Sequence, residues 1–128
     1  MPAGDIERDA LTGEIVAGAI EVHKALGPGL LESIYEECLA YELSDRGLHV
    51  IRQVPLPVVY KGRTMACAFR LDLLVNDLVI LEIKAIERVL PVHEAQLLSY
   101  MKLANKRRGL ILNFHTPLLK DGITRRVL

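Results

Sequence analysis

Two stretches decide the fold: MACAFRLDLLV at residues 65–75 and LVILEIKA at residues 78–85. Both are almost continuously apolar and rich in branched side chains, which is typical of strands buried on both faces of a sheet. Only Asn76 and Asp77 separate them in the chain. The pattern therefore predicts an antiparallel hairpin in the interior of the molecule.

The flanking sequence adds helices and further strands around this hairpin. One helix between the second hairpin strand and the next apolar run has the length of a crossover connection, so these two strands are predicted to be parallel. The sequence thus predicts an α/β fold with a mixed central sheet flanked by helices, in the order ααβββαββ, as a single domain over residues 1–128. The other predicted elements are helices at 5–26, 31–46 and 91–107, an edge strand at 48–60 interrupted by Pro55 and Pro57, and strands at 109–114 and 123–128.

Composition excludes several classes of protein. Of the 128 residues, 51% are hydrophobic and 25% are charged, which favours one well-packed domain over a disordered chain. No apolar run approaches the roughly 18 residues of a membrane span. The first ten residues lack the features of a signal peptide, so we expect a cytoplasmic protein with no membrane contact. Cys38 and Cys67 lack metal-ligand spacing and are interpreted as reduced core residues.

Three charged side chains interrupt the two buried strands. Asp72 lies in the first, and Glu82 and Lys84 share one face of the second. An isolated buried charge costs several kcal/mol, so these groups need partners or a metal. Asp72 faces Glu82 only if the pairing is centred on Asp77, which requires a loop of three or five residues or a bulge, because a two-residue turn would pair Asp72 with Leu81.

The chemistry of these residues suggests metal-assisted hydrolysis of phosphodiesters. Two carboxylates and a backbone carbonyl offer the hard oxygen ligands that Mg²⁺ prefers. A neighbouring lysine can orient the attacking water or stabilise charge that develops on the phosphate. The alternative interpretation is a buried ion cluster in which the three charges compensate one another without a metal.

Asp72, Glu82 and Lys84 resemble the D…ExK pattern of the PD-(D/E)XK nuclease superfamily, and GLLESIY at residues 29–35 resembles the GxxExxY signature of one of its small families. The resemblance implies a restriction-endonuclease-like core and a nuclease that uses Mg²⁺, or Mn²⁺, to cut nucleic acid. Leu71 stands where the superfamily's name has a proline. The superfamily varies at that position, so the departure carries little weight.

The same resemblance implies further site residues. Asp72, Glu82 and the carbonyl of Ile83 would hold the metal, with Glu32 completing its ligands. Gln96 and Tyr100 resemble a QxxxY motif found on the helix after the ExK strand in some relatives, and they share one helix face. Taken without the resemblance, Glu32 is equally a helix-start carboxylate and Gln96 and Tyr100 are ordinary polar residues of an amphipathic helix.

Charge is unevenly distributed although the 16 basic and 16 acidic residues cancel. The last 28 residues contain seven bases and one acid. Such a cluster can neutralise phosphates, so we expect it to form a positive rim near the acidic site; the alternative is a solvated surface. The predicted substrate-binding residues are Lys102, Lys106, Arg107 and Arg108, with Arg125 and Arg126 beside them.

Two other functions remain open from the sequence. A non-catalytic module could keep the nuclease fold while binding nucleic acid or a protein, and it would differ by lacking metal affinity. An unrelated α/β domain would pair Lys84 with Glu82 and show no cleft beside them. A domain this small has little surface for gripping a duplex, so a homodimer or a protein partner is also expected.

Overall fold

The computed structural model describes the backbone of residues 3–128 and the side chains of residues 10–66 and 68–128. Its elements alternate in the predicted order, with one short 3₁₀ turn added before the last strand. They are α1 Ala3–Leu26, α2 Glu32–Asp45, β1 Val50–Tyr60, β2 Arg63–Val75, β3 Val79–Lys84, α3 Pro91–Ala104, β4 Arg108–Asn113, the 3₁₀ turn Leu119–Gly122 and β5 Ile123–Val127.

The five strands form one mixed sheet in the order β1-β2-β3-β4-β5. All neighbouring pairs are antiparallel except β3 and β4, which are parallel and joined by α3 as the crossover. The predicted fold class, order of elements along the chain and parallel pair are therefore confirmed. The third helix was predicted to reach residue 107 but ends at Ala104, because Asn105 adopts the left-handed conformation and the Lys106 N–H closes the turn on the Met101 carbonyl at 2.8 Å.

Each face of the sheet carries its own apolar core. On one face α1 and α2 pack on alternate residues of β2, β3 and β4, and on the other face α3 packs on the residues between them. This three-layer arrangement explains why the central strands are continuously apolar, since neither of their faces meets water. The first core includes Ile15, Leu39, Leu43, Leu73, Leu81 and Leu110, and the second includes Leu56, Leu71, Leu74, Ile80, Leu97, Met101 and Ile111.

The connection between α1 and α2 is held by the tyrosine of the GLLESIY segment. The Tyr35 hydroxyl donates to the carbonyl of Gly27 at 2.5 Å and accepts from the N–H of Leu30 at 3.1 Å. Its ring stacks on Phe114 at 4.5 Å between centroids. Gly29 has a φ of +101°, a conformation that favours glycine. Two residues of this motif therefore shape the turn that starts α2.

The structure also bears on the predictions for His23, for the two cysteines and for membrane-spanning helices. His23 is buried and hydrogen-bonded to the carbonyl of Thr116 at 2.8 Å, as a core histidine should be. Cys38 is a free, half-buried thiol beside the first core, whereas the side chain of Cys67 lies outside the described residues. No helix among the residues described is both long and apolar enough to cross a membrane.

Asn113, at the end of β4, fixes the segment that follows β3. It is buried and lies opposite Lys84 in the parallel ladder. Its side-chain oxygen accepts from the N–H groups of Ile86 at 3.1 Å and His115 at 3.2 Å, and its amide nitrogen donates to the Ile86 carbonyl at 2.9 Å. One side chain thus bonds three backbone groups of the segments that follow β3 and β4.

We expect Asn113→Ala to lower the free energy of unfolding by about 2–4 kcal/mol, because it removes three hydrogen bonds of roughly 0.5–1.5 kcal/mol each. Urea unfolding followed by circular dichroism measures this change. Ser99→Ala, at an exposed position of α3, is the control and should stay within about 0.5 kcal/mol of the wild type. Equal stability of the two variants would contradict the role of Asn113.

Candidate active site

The loop between β2 and β3 sets Asp72 opposite Glu82. Val75 pairs with Val79 and Leu73 pairs with Leu81, so the loop has three residues and is centred on Asp77. Asn76 and Asp77 both adopt positive φ angles, of 51° and 56°. This is one of the irregular hairpins that the sequence required for a site.

At Asp72 and Glu82 the backbone ladder stops and the two carboxylates replace it. The regular pairing of β2 with β3 ends at Leu73 and Leu81. Beyond it, the Ile83 N–H donates to Asp72 Oδ2 at 2.7 Å and the Asp72 N–H donates to Glu82 Oε2 at 3.1 Å. Each carboxylate is therefore fixed by the opposite strand, and the two converge in the gap between the strands.

The sheet also changes face at this point. Leu73 packs in the core under α1 and α2, whereas Leu71, two residues earlier, packs in the core under α3. Regular alternation would put both on the same face. On the neighbouring strand, Gln53 lies between the partners of these two residues and has a φ of +53°. Asp72 thus sits at an irregularity shared by β1 and β2.

Lys84 and Tyr100 complete the immediate surroundings of the carboxylates. Lys84 follows Glu82 on the same face of β3, and its charge acts to lower the pKa of Glu82. Burial raises the pKa of the Tyr100 hydroxyl, and the charges of Glu82 and Asp72 raise it further. Tyr100 therefore borders the pair from α3, where its ring also packs at an angle against Phe69, 5.0 Å away.

Glu82 is the most perturbed titratable group described. Burial, followed by the charge of Asp72, raises its pKa from an ordinary 4.5 to about 8. The nearby lysine opposes this rise but does not cancel it. No salt bridge joins Lys84 to either carboxylate within the part of the chain that the structure describes. Lys84 therefore does not neutralise either carboxylate through a direct ion pair.

The other residues predicted for the site lie farther out. Gln96 is exposed, one helical turn before Tyr100, and Glu32 is exposed at the first residue of α2. The buried carboxylate of α2 is Glu36, one turn later, which accepts from Arg52 Nη2 at 3.0 Å and from Gln53 Nε2 at 2.7 Å. Through Gln53 it connects α2 to the irregularity beside Asp72. Sequence reasoning missed Glu36, although its position four residues after Glu32 was a usable signal.

The basic cluster is not beside the carboxylates, contrary to the expectation of a rim. Arg108 pairs with Val79, at the end of β3 opposite to Lys84. Lys106 forms a salt bridge with Asp77 of the hairpin loop at 2.9 Å. Three residues of strand, about 10 Å, separate Val79 from Glu82.

The remaining members of the cluster lie at several places on the surface. Arg107 Nε donates to the Leu128 carbonyl at 3.2 Å, and Arg126 forms an ion pair with Glu94. Lys102 and Arg125 are exposed. Arg107 and Arg108 follow α3 closely in sequence, but α3 carries the chain back to the start of β4, at the end of the strand pair opposite to Lys84.

The donor set suits a hard divalent cation with retained water. Among the residues described, no three His, Cys, Asp or Glu side chains converge as a ready-made metal site. Asp72 and Glu82 supply two carboxylates, and the N–H of Ile83 points at Asp72. Because the N–H and C=O of one strand residue point to the same side, the Ile83 carbonyl faces this gap as well. Mg²⁺ commonly takes one or two carboxylates and keeps several waters.

We expect the stability of the metal-free protein to fall as the pH rises from 4.5 to about 8, because the folded state holds the Glu82 proton over this range and the unfolded chain releases it. Glu82→Gln should remove this part of the pH dependence. The measurement is urea unfolding in EDTA at several pH values, taken as the difference from wild type. Glu21→Gln, at an exposed position of α1, should leave the profile unchanged; a Glu82→Gln profile parallel to that of the wild type would contradict the prediction.

Comparison with known proteins agrees with this geometry. The family model described as the PD-(D/E)XK nuclease superfamily matches residues 9–126, nearly the whole chain. No curated protein and no solved structure gives a significant match. The family match excludes an unrelated α/β domain with a compensated ion cluster, one of the alternatives left open by the sequence. The chain belongs to the PD-(D/E)XK nuclease superfamily.

Proposed function

We propose that this protein is a metal-dependent nuclease that hydrolyses phosphodiester bonds of nucleic acid at an Asp…Glu-x-Lys site. The observation that carries the proposal is the convergence of Asp72 and Glu82 in a gap of the sheet, each bonded to the opposite strand. When both carboxylates are ionised they repel each other in this buried place, and a cation bound between them would offset that repulsion. Superfamily membership supports the nuclease assignment.

Asp72, Glu82 and the carbonyl of Ile83 are the proposed ligands of Mg²⁺ or Mn²⁺. A divalent cation bound there would supply Lewis-acid stabilisation of the phosphate and lower the pKa of a coordinated water. The raised pKa of Glu82 is consistent with this assignment, because burial and then the charge of Asp72 disfavour its ionised form, which a bound cation would stabilise. The affinity of this site for metal should therefore increase with pH as Glu82 loses its proton.

The chain's own groups would perform the remaining tasks. Lys84, on the Glu82 face of β3, would orient the attacking water and stabilise the negative charge that develops on the phosphate. Tyr100 would donate its hydroxyl proton in a hydrogen bond to the substrate or to a ligand water, since burial and the two carboxylates keep it protonated. Gln96, exposed on the same side of α3, would contact the substrate beyond the reacting bond.

The assignment to the GxxExxY family also belongs to this proposal. Gly29, Glu32 and Tyr35 occupy the motif positions, and the turn contacts of Tyr35 give the motif a structural reason. Glu32, exposed at the first residue of α2, is proposed to complete the ligands of the metal. Lys102, Lys106, Arg107 and Arg108 are proposed to hold more distant phosphates, since Arg108 starts β4 about 10 Å along the strands from Glu82 and Lys106 pairs with Asp77 of the hairpin loop.

We expect the purified protein to cleave single- or double-stranded DNA or RNA with Mg²⁺ or Mn²⁺ and to stop when EDTA is added. Asp72→Asn and Lys84→Gln should each reduce the cleavage rate by about a hundredfold or more, because each removes a group that stabilises charge in the transition state. Gel assays on linear and circular substrates measure the rates and separate internal from terminal cutting. Glu21→Gln is the charge-matched control and should cleave at the wild-type rate.

Calorimetric titration with Mn²⁺ provides a readout that does not depend on turnover. Wild-type protein should bind the ion and Asp72→Asn should lose most of that affinity, because one of two carboxylates is gone. A protein that binds nucleic acid but neither binds Mn²⁺ nor cleaves would instead be the non-catalytic module with the nuclease fold.

A further inference from the structure

The hairpin of β1 and β2 extends beyond the rest of the sheet. β3 pairs with β2 only from Leu73 to Val75, so residues 55–70 form a two-stranded arm that starts at the carboxylates. From Asp72 to Arg63 it spans nine residues, roughly 30 Å at the rise of a strand. Leu56 is buried against the α3 core and fixes the base of the arm. The rest of the described arm is exposed or half-buried.

The arm carries positive charge and no negative charge. Between Asp45 and Asp72 the sequence contains no acidic residue. Arg52, before the arm, is paired with Glu36. Lys61, Arg63 and Arg70 lie on the arm itself, are exposed, and form no salt bridge with the side chains that the structure describes. A surface of this kind fits a polyanion.

Aromatic side chains accompany these bases. Tyr60 at the tip is 60% exposed, and the Lys61 ammonium lies 5.4 Å from the centre of its ring. Phe69 at the base is 42% exposed and packs against Tyr100, which borders Asp72 and Glu82. Basic groups interleaved with exposed rings are the composition of surfaces that bind single-stranded nucleic acid. The ring of Phe69 can meet a base face only where that base is unstacked from its own neighbours.

We propose that the arm, residues 55–70, binds a single-stranded segment of nucleic acid and leads it to the carboxylates. Lys61 and Arg63 contact its phosphates, and Phe69 stacks on an unpaired base next to the reacting bond. This inference rests on the proposed function for its ligand, and it deepens that function by naming the single strand, or an unpaired strand end, as the substrate.

The test measures binding in EDTA, where no metal-dependent cleavage can interfere. The probe is a fluorescent oligothymidylate, and fluorescence anisotropy gives its affinity over a series of salt concentrations. The first variant combines Lys61→Asn with Arg63→Gln. Lys61 and Gly62 form the turn with φ angles of +49° and +77°, and asparagine before glycine is the preferred pair for such a turn, so the arm should stay folded.

We expect this variant to bind oligothymidylate at least tenfold more weakly. The slope of log affinity against log salt concentration should become shallower by about 1.4, because each of the two lost phosphate contacts contributes about 0.7 to it. The control variant combines Lys24→Gln with Lys120→Gln, two exposed lysines outside the arm, and removes the same charge. It should keep the wild-type slope. Equal slopes for the two double variants would overturn the proposal.

A separate pair of variants tests the role of Phe69. Phe69→Leu should weaken oligothymidylate binding by about fivefold to a hundredfold, the range expected for the loss of one base–aromatic stack. Phe69→Tyr keeps an aromatic ring and should retain wild-type affinity. A blunt DNA duplex should bind more weakly than the single strand and be insensitive to Phe69→Leu. Equal losses on single strand and duplex would show that Phe69 supports the fold instead of a base.

Two outcomes separate this inference from the proposed function. A wild-type protein that never cleaves, while the arm variants still lose oligothymidylate binding, would end the nuclease proposal and leave the arm as its binding element. A wild-type protein that forms dimers in light scattering, with Phe69→Leu monomeric and oligothymidylate binding unchanged, would show that the arm pairs with a second copy and would overturn the inference.

Discussion

The whole site depends on two carboxylates replacing the backbone ladder between β2 and β3. The N–H groups of Ile83 and Asp72 would otherwise bond to carbonyls of the opposite strand, and here they bond to Asp72 and Glu82. This exchange keeps the strands joined while it opens a gap between them. It also fixes both side chains without any further support, because their partners are rigid backbone groups in the centre of the sheet.

The layers on either side of the sheet limit the access of water to the gap that holds the two carboxylates. The core under α1 and α2 seals one side, so the carboxylates can face only α3 and the solvent beyond it. Burial raises the pKa of Glu82 to about 8, and Asp72 adds to the rise. The fold thus holds negative charge where little water can stabilise it. Only a cation or a proton relieves that repulsion, which is the physical basis of the proposed metal dependence.

Sequence reasoning reached the fold and the centre of the site because both depend on local patterns. The buried strands and the crossover helix follow from apolar runs and spacing, and these predictions are confirmed. The loop centred on Asp77 was the condition for a site, and the structure meets it. Sequence reasoning did not reach features set by tertiary position. The basic cluster starts at the far end of β3, and Glu36 is the buried acid of α2, because neither placement follows from spacing alone.

The arm escaped prediction for a related reason. The sequence indicated an edge strand with Pro55 and Pro57 and a turn at Lys61 and Gly62, and both are present. It did not indicate that β3 would be so much shorter than β2, which leaves the hairpin extending past the sheet. The length of a free hairpin depends on where its neighbour stops, and that is not encoded in its own residues.

The three-residue loop after β2 has a consequence for how this protein can evolve. Surface loops usually gain and lose residues freely because the elements they connect do not depend on loop length. Here the loss or gain of one residue would shift the pairing of β2 with β3 and separate Asp72 from Glu82. Relatives that keep the site should therefore vary the identity of residues 76–78 but not their number, and a changed loop length should accompany loss of the acidic pair.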